Sequence, residues 1–280
     1  MFTHFLITRF NLRKTDWTTN KNNQAVLTDL WLKNRFELFS NYCFPSVASQ
    51  VNDNFEWLVY FDTTTPEQYR DRIKELQVEF PNFKPQFIDG MSKLLPSIYE
   101  YINQYDSEHI ITSTLDNDDC IGKYYIDEVQ KQFDSQDYLA IDFIDGFTIK
   151  VTNPVRIGNK VHLFNPFISL IEKNNNPITV YKKGHTDWKK EQRLKTIKGI
   201  KIWSSIIHEE NMVNDFTGFG AVDIDSFFND FKISKSKEHH IREYLNPVSR
   251  WRLSSFKNYI NSYQIVFSKR LKRFLGIYRS

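Results

Sequence analysis

Apolar residues in the first 150 positions fall into two alternating rhythms. Short runs dense in β-branched and aromatic side chains, HFLITRF (4–10), FEWLVYFD (55–62), FKPQFID (83–89) and HIITSTLD (109–116), read as strands. Between them the apolar residues recur every three or four positions. Leu27, Leu30, Trp31, Leu38 and Phe39 predict one helix, and Tyr69, Ile73, Leu76 and Phe80 a second. Leu94, Leu95, Ile98, Tyr101, Ile102 and Tyr105 predict a third, and Ile126, Val129 and Phe133 a fourth. The second helix carries its own start signal: Thr65 as N-cap, Pro66 at the first helical position and Gln68 as the capping-box partner. Strand and helix in alternation imply a largely parallel sheet covered by helices.

The second half is less regular. YLAIDFIDGFTIKV and KVHLFNPFISLIE predict strands, or a strand and a helix, around turns at Gly146 and Gly158. KNNNP (173–177) is a loop, and KGIKIWSSIIH (198–208) is strand-like. Pro247 opens a last segment in which Phe256, Tyr259, Ile260, Tyr263, Phe267, Leu271 and Phe274 recur at helical spacing. Lys257, Lys269, Arg270, Lys272 and Arg273 lie largely off that stripe. There is no internal repeat. The expected organisation is a main domain over 1–235 and a basic amphipathic helical tail over 236–280.

Composition narrows the class. With 24 Phe, 14 Tyr and 6 Trp in 280 residues, a sizeable core is available. No apolar run is long enough to span a bilayer. MFTHFLITRFNLRK lacks the charge and length of a signal segment and reads as a first strand. Cys43 and Cys120 are too few for a disulfide framework, which predicts a reducing cytoplasm. The net charge of +3 hides an asymmetry. Residues 250–280 hold eight Lys/Arg and no acid, leaving 29 bases against 34 acids elsewhere. A mildly acidic body with a basic tail is not the profile of a nucleic-acid-binding face.

Arg9, Asp62, Asp89 and Asp116 all fall at or near strand C-termini, where open α/β sheets gather ligands. The densest chemistry is in ITSTLDNDDCI (111–121), with Asp116, Asp118 and Asp119 in four positions. Crowded like charges call for a cation or for full solvation. Carboxylate oxygens suit Mg²⁺, Mn²⁺ and Ca²⁺. An EF-hand loop from Asp116 fails, because its fifth and sixth positions would be Cys120 and Ile121. A strand-end Asp-x-Asp suits a diphosphate–metal site. The opposing reading is a solvated turn in which Asp118 or Asp119 favours the next helix N-terminus.

The order of HFLITRFN, WLKNRFELFSNYCFPSVASQ, FEWLVYFDTTTPE, ITSTLDNDDCI, NPFISLIE and IIHEENMVND resembles the rhamnosyltransferase family, within the glycosyltransferases of GT-A fold, from the start to about residue 215. The resemblance implies a Rossmann-like α/β fold with a mixed, mostly parallel sheet flanked by helices. It implies inverting transfer of a sugar, such as rhamnose or another deoxysugar, from a nucleotide diphosphate donor to a glycan or lipid-linked glycan acceptor, with Mn²⁺ or Mg²⁺ as cofactor. By resemblance Asp116 lies near ribose and sugar, Asp118 holds the metal, and His208 is a further metal ligand. Asp119 would orient Asp118 or a basic neighbour, and Asp62 would meet the nucleotide. Arg9 or Arg35 could meet phosphate through the guanidinium fork; a structural ion pair is the other reading for Arg35. The general base is expected at Asp187 in KGHTDWKKEQ, where Thr186 replaces the family's usual Glu. Glu172 and Asp145 are the second and third candidates. Trp188 and Trp203 either stack on a sugar or belong to the core. Adjacent His239 and His240 cannot face one metal from a helix.

Two other functions use the same acidic turn: a metal-dependent phosphohydrolase of nucleotide sugars, and a non-catalytic nucleotide- or carbohydrate-binding module. The basic tail fits peripheral contact with the inner face of a membrane. Alternatively, it packs its apolar stripe on the domain and leaves its charges in water.

Overall fold

The apolar runs pair into one central sheet. The computed structural model describes residues 1–14, 26–209 and 215–278. Its first half runs β1 (Phe2–Arg9), α1 (Asp29–Leu38), α2 (Phe44–Ala48), β2 (Glu56–Asp62), α3 (Glu67–Glu79), β3 (Phe83–Ile88), α4 (Leu94–Ile102), β4 (His109–Thr114), β5 (Cys120–Ile121) and α5 (Tyr125–Gln130). The second half runs β6 (Tyr138–Phe143), β7 (Asp145–Lys150), β8 (Arg156–Val161), β9 (Ser169–Lys173), β10 (Leu194–Ile197), β11 (Trp203–Ile207), α6 (Ile224–Asp230), α7 (Lys235–Tyr244) and α8 (Arg252–Phe274).

The seven-stranded sheet has the order β10-β6-β9-β4-β1-β2-β3. Every strand is parallel to its neighbour except β9, which runs antiparallel between β4 and β6. Central strands buried on both faces need continuous apolar runs, and Phe5, Leu6 and Ile7 of β1 are fully buried. One face packs Leu6, Trp57, Val59 and Ile111 against Trp31, Phe36, Phe44, Ile73, Leu76 and Ile126 of the helices. The other packs Phe5, Ile7, Leu58 and Ile110 against Leu94, Ile98 and Ile102 of α4. The mostly parallel α/β architecture is the one expected.

A four-stranded sheet, β5-β11-β7-β8, stands beside the first. Its core joins Ile149, Ile157 and Ile206 to Phe227 and Phe228 of α6 and Ile241 of α7. Residues 235–245 therefore pack as part of the body, with a bridge between Val155 and Leu245, and α8 lies along its surface.

Three local expectations change. Gly146 and Gly158 are not turns; they lie inside β7 and β8. A Cβ on Gly146 would come within 2.4 Å of the Trp203 ring, and one on Gly158 within 2.7 Å of the Phe219 nitrogen. These glycines are fixed by close approach rather than by turning. Thr65 does not cap α3: its hydroxyl donates to the Asp62 carbonyl, and Pro66 occupies the cap position without a side-chain bond.

The tail helix α8 is turned opposite to the usual sense. Trp251, at its N-cap, Ser255, Ser262 and Val266 are buried against the body, while Phe256, Phe267 and Phe274 are 64%, 68% and 85% exposed. Ser255 accepts from the Gly220 amide, Asn258 donates to the Gly218 carbonyl, and Lys269 donates to the Leu163 carbonyl. Tyr259 and Tyr263 rest against the Phe219 ring, with centroids 5.3 and 6.1 Å apart, and the rest of the apolar stripe faces solvent. No helix among the described residues is long and apolar enough to cross a membrane. Cys43 and Cys120 are buried and unpaired.

Candidate functional site

Because β1, β2, β3 and β4 are parallel and in register, their C-terminal ends form one edge. Arg9 ends β1, Asp62 ends β2, Asp89 follows β3, and Asp116 lies two residues past β4. The chain then turns sharply, and the Asp119 amide donates to the Asp116 carbonyl at 3.2 Å. Asn117 ties the turn down: its Nδ2 donates to the Arg9 and Phe10 carbonyls at 3.1 and 2.8 Å. That polar residue inside the acidic run locks strand-4 chemistry to the end of strand 1.

Asp118 is the focus. Its Oδ2 accepts from Arg35 Nη1 at 2.6 Å and is 2.8 Å from His208 Nε2. Arg35 reaches it from α1 and also donates to Asn117 Oδ1 at 3.1 Å. His208 reaches it from just beyond β11. Burial favours the neutral carboxyl, but the Arg35 charge and the His208 hydrogen bond overcome this and hold Asp118 well below the usual carboxylate range. The structural ion pair expected as one reading of Arg35 is therefore present, and it is buried: the side chains of Arg35 and Asp118 are 8% and 12% exposed.

Asp119 points the other way. Its Oδ1 accepts from the Ile206 amide at 2.8 Å. Burial, with Asp118 and Asp116 nearby, pushes its carboxyl well above the usual range. The half-buried Lys160 faces the same region and donates to Ser205 Oγ at 3.0 Å. Burial lowers its ammonium pKa against the opposing pull of Asp119. Asp119 thus joins the two sheets and has a basic neighbour in Lys160. Lys160 sits in a strand whose polar residues read as surface, so only the tertiary contact identifies it.

Asp116 remains half exposed, 4.0 Å from Arg9 Nη2. The Arg9 guanidinium lies 5.6 Å from the centre of the Tyr181 ring. Tyr181 in turn donates to the Ile7 carbonyl at 3.2 Å. Tyr181 escaped notice because the short 3₁₀ turn that carries it, Val180–Lys182, is too brief to show a period.

The other candidates are placed differently. Asp62 is fully buried and accepts from Arg13 N and Nε and from Thr64 N and Oγ1. Burial opposes ionisation, but these hydrogen bonds lower its carboxyl pKa. Arg13 also pairs with Asp89. Glu172 is level with Ile110 in the register, near the start of β4. That is six residues before Asp116, about 20 Å along a strand. Its oxygens accept the Ile178 and Thr179 amides, both at 2.8 Å. The structure does not bring Glu172 to the acidic turn. Asp145 accepts from the Gly199 amide at 2.6 Å. Asp187 is exposed on a short 3₁₀ stretch, His185–Lys190, in the connection that also supplies Tyr181. Trp188 and Trp203 are core: Trp203 stacks on Phe167 and donates to the Phe143 carbonyl. His239 is exposed beside Glu243. Residues 210–214 of the IIHEENMVND motif lie outside the described residues.

Carboxylate and imidazole are ligand types for a divalent ion, and in the structure Asp118 Oδ2 and His208 Nε2 are hydrogen-bonded at 2.8 Å with Arg35 on the same oxygen. Among the described residues no group of three or more His, Cys, Asp or Glu side chains is placed to hold a metal ion. An ion held there would draw its remaining ligands from phosphate and water, as Mg²⁺ commonly does.

A family model described as "Putative rhamnosyl transferase" matches residues 3–218. No curated protein matches the chain. Among solved structures, residues 1–349 of S. aureus TarS resemble it at 14% identity and a TM-score of 0.42, covering 73% of this chain and 60% of that one. The same TarS segment in complex with UDP-GlcNAc gives 13% identity and 0.44, covering 86% and 71%. A "putative nucleotide-diphospho-sugar transferase" from Desulfovibrio desulfuricans G20 gives 9% identity and 0.43, covering 87% and 98%.

Proposed function

The chain belongs to the glycosyltransferase family described as "Putative rhamnosyl transferase", and from that premise we propose that it moves a sugar, with inversion, from a nucleotide diphosphate donor to a glycan or lipid-linked glycan acceptor. The observation that carries this reading is the meeting of Asp118, His208 and Arg35 on one carboxylate oxygen, beside Arg9 and Asp116 at the sheet edge. A departing nucleoside diphosphate needs opposing positive charge, and this edge offers the half-exposed guanidinium of Arg9, with Arg35 buried on Asp118 behind it.

Arg9 binds a phosphate oxygen, held in direction by Asp116 and the Tyr181 ring. Asp116, half exposed, accepts hydroxyls of ribose or sugar. Asp62 acts at the nucleotide end by fixing Arg13 and the 62–65 turn. Asp118 and His208 would hold Mn²⁺ or Mg²⁺, which supplies Lewis-acid neutralisation of the leaving diphosphate. Asp187 takes the acceptor hydroxyl proton. It is supported by its exposure on the connection that carries Tyr181, whereas the oxygens of Glu172 hold backbone amides far from the edge. The donor sugar is rhamnose or another deoxysugar by family kinship alone.

Thermal unfolding in the presence of a nucleotide-sugar panel, with and without Mn²⁺, tests the reading. The true donor class raises Tm by mass action, more with Mn²⁺ than without, and Asp118→Asn loses the Mn²⁺ increment. Product analysis separates the rivals. Hydrolysis of donor without acceptor would make the chain a phosphohydrolase, and binding without turnover a recognition module.

A further inference from the structure

Helix α8 is held to the body by Ser255, Ser262 and Val266, with Trp251 at its N-cap and Tyr259 and Tyr263 against Phe219, and presents its phenylalanines to solvent. Leu253, Phe256, Ile260, Tyr263 and Phe267 repeat at alternating spacings of three and four, Phe274 follows two turns on, and each is at least 37% exposed. They form a stripe about 32 Å long at 1.5 Å per residue. Isolated exposed apolar residues need no explanation, but a contiguous stripe marks an interaction site. Arg252 and Arg270 flank it on one side and Lys257 on the other, and no acid occurs between 250 and 280.

The charge pattern selects the occupant. Paired against a second copy, the helix would set these cations against their own kind, and Arg270 would fall at a seam position between Phe267 and Phe274. An anionic surface satisfies stripe and flanks together: the rings enter the headgroup boundary while the cations meet lipid phosphates. The four polar ties from Ser255, Asn258, Lys269 and Arg273 to the body carbonyls and amide keep the helix parallel to that surface. We propose that the outward face of α8 docks the protein on an anionic bilayer, lying in the interface rather than crossing it. This stands independently of the transferase reading.

Flotation of the 280-residue protein with vesicles is the test, using phosphatidylcholine alone and phosphatidylcholine mixed with anionic phosphatidylglycerol. The expected result is binding to the anionic vesicles, weakened by raised salt, and at least tenfold weaker partitioning for Phe256→Ser/Phe267→Ser/Phe274→Ser. The three sites are exposed, so an unchanged melting temperature confirms that the variant folds. Absence of flotation overturns the proposal. So does equal flotation of the variant, or a stable dimer in lipid-free sedimentation that the three substitutions dissociate.

Discussion

Replacing Asp118 by Asn tests the electrostatic logic of the site without any ligand. In the folded chain Asp118 Oδ2 receives Arg35 at 2.6 Å, with both side chains nearly buried. Arg35 Nε already lacks a partner among the described residues. Asp118→Asn removes the counter-charge and leaves a guanidinium desolvated. Breaking a buried pair from one side costs about 3–5 kcal/mol. The amide oxygen can still accept one bond, so the lower figure, about 3 kcal/mol, is expected. For a chain of this size that is a fall in Tm of about 5 °C. Arg35→Met should cost a similar amount by stranding the carboxylate. The double variant should cost about 2–3 kcal/mol less than the sum, because neither charge is then left alone. The carboxyl is held low by Arg35 and His208 in spite of burial, so its contribution is present above the ordinary carboxylate range. It is lost only as pH falls towards its folded value. Chemical unfolding of the four proteins at pH 7 in a chelator measures the cycle. Costs that add to within about 0.5 kcal/mol would refute the buried-pair account.

Two further outcomes follow from groups away from the acidic turn. Asp142 accepts from the Phe164 amide and Asn165 Nδ2, and burial pushes its carboxyl up to about 7 in spite of Lys269 and Arg273 nearby. The folded chain then holds a proton that the unfolded chain releases between about pH 4 and 7, so stability falls as pH rises through that window, by up to about 4 kcal/mol. Asp142→Asn should flatten this slope in urea midpoints at pH 4.5 and 7; an unchanged slope would assign it elsewhere. Glu172→Gln turns an amide NH₂ towards a backbone N–H of the 178–179 bend and should cost about 1–3 kcal/mol of stability, while kcat stays within a few-fold. A hundredfold fall in kcat with an intact Tm would make Glu172 the base.

The first half of the fold was legible because each strand and helix there has its own period, and the parallel sheet follows from their alternation. The edge residues Arg9, Asp62, Asp89 and Asp116 were found because parallel strands place their C-termini together. The second half hid its plan. Strand β9 is buried on both faces, so SLIEK does not alternate and gives no sign of its reversed direction. Gly146 and Gly158 read as turns because only the distant Trp203 and Phe219 explain them. Strand β5 is two residues long and below any periodic signal. In the site, Asp118 and His208 were singled out by motif order. The choice between phosphate contact and ion pair for Arg35 depended on α1 lying over the turn, and no local pattern encodes that distance.

The reversed strand β9 has a consequence for synthesis. It fills the gap between β4 and β6, both largely buried. Its residues 169–173 emerge some 55 positions after Thr114 completes β4. At about 5–20 residues per second a nascent chain carries that unpaired backbone for roughly 3–11 s. During that interval the bare edge of β4 is a template for any neighbouring extended chain. Fragments ending before Ser169 should therefore aggregate rather than stay monomeric, and the bottleneck in producing this protein lies in the arrival of five residues near its middle.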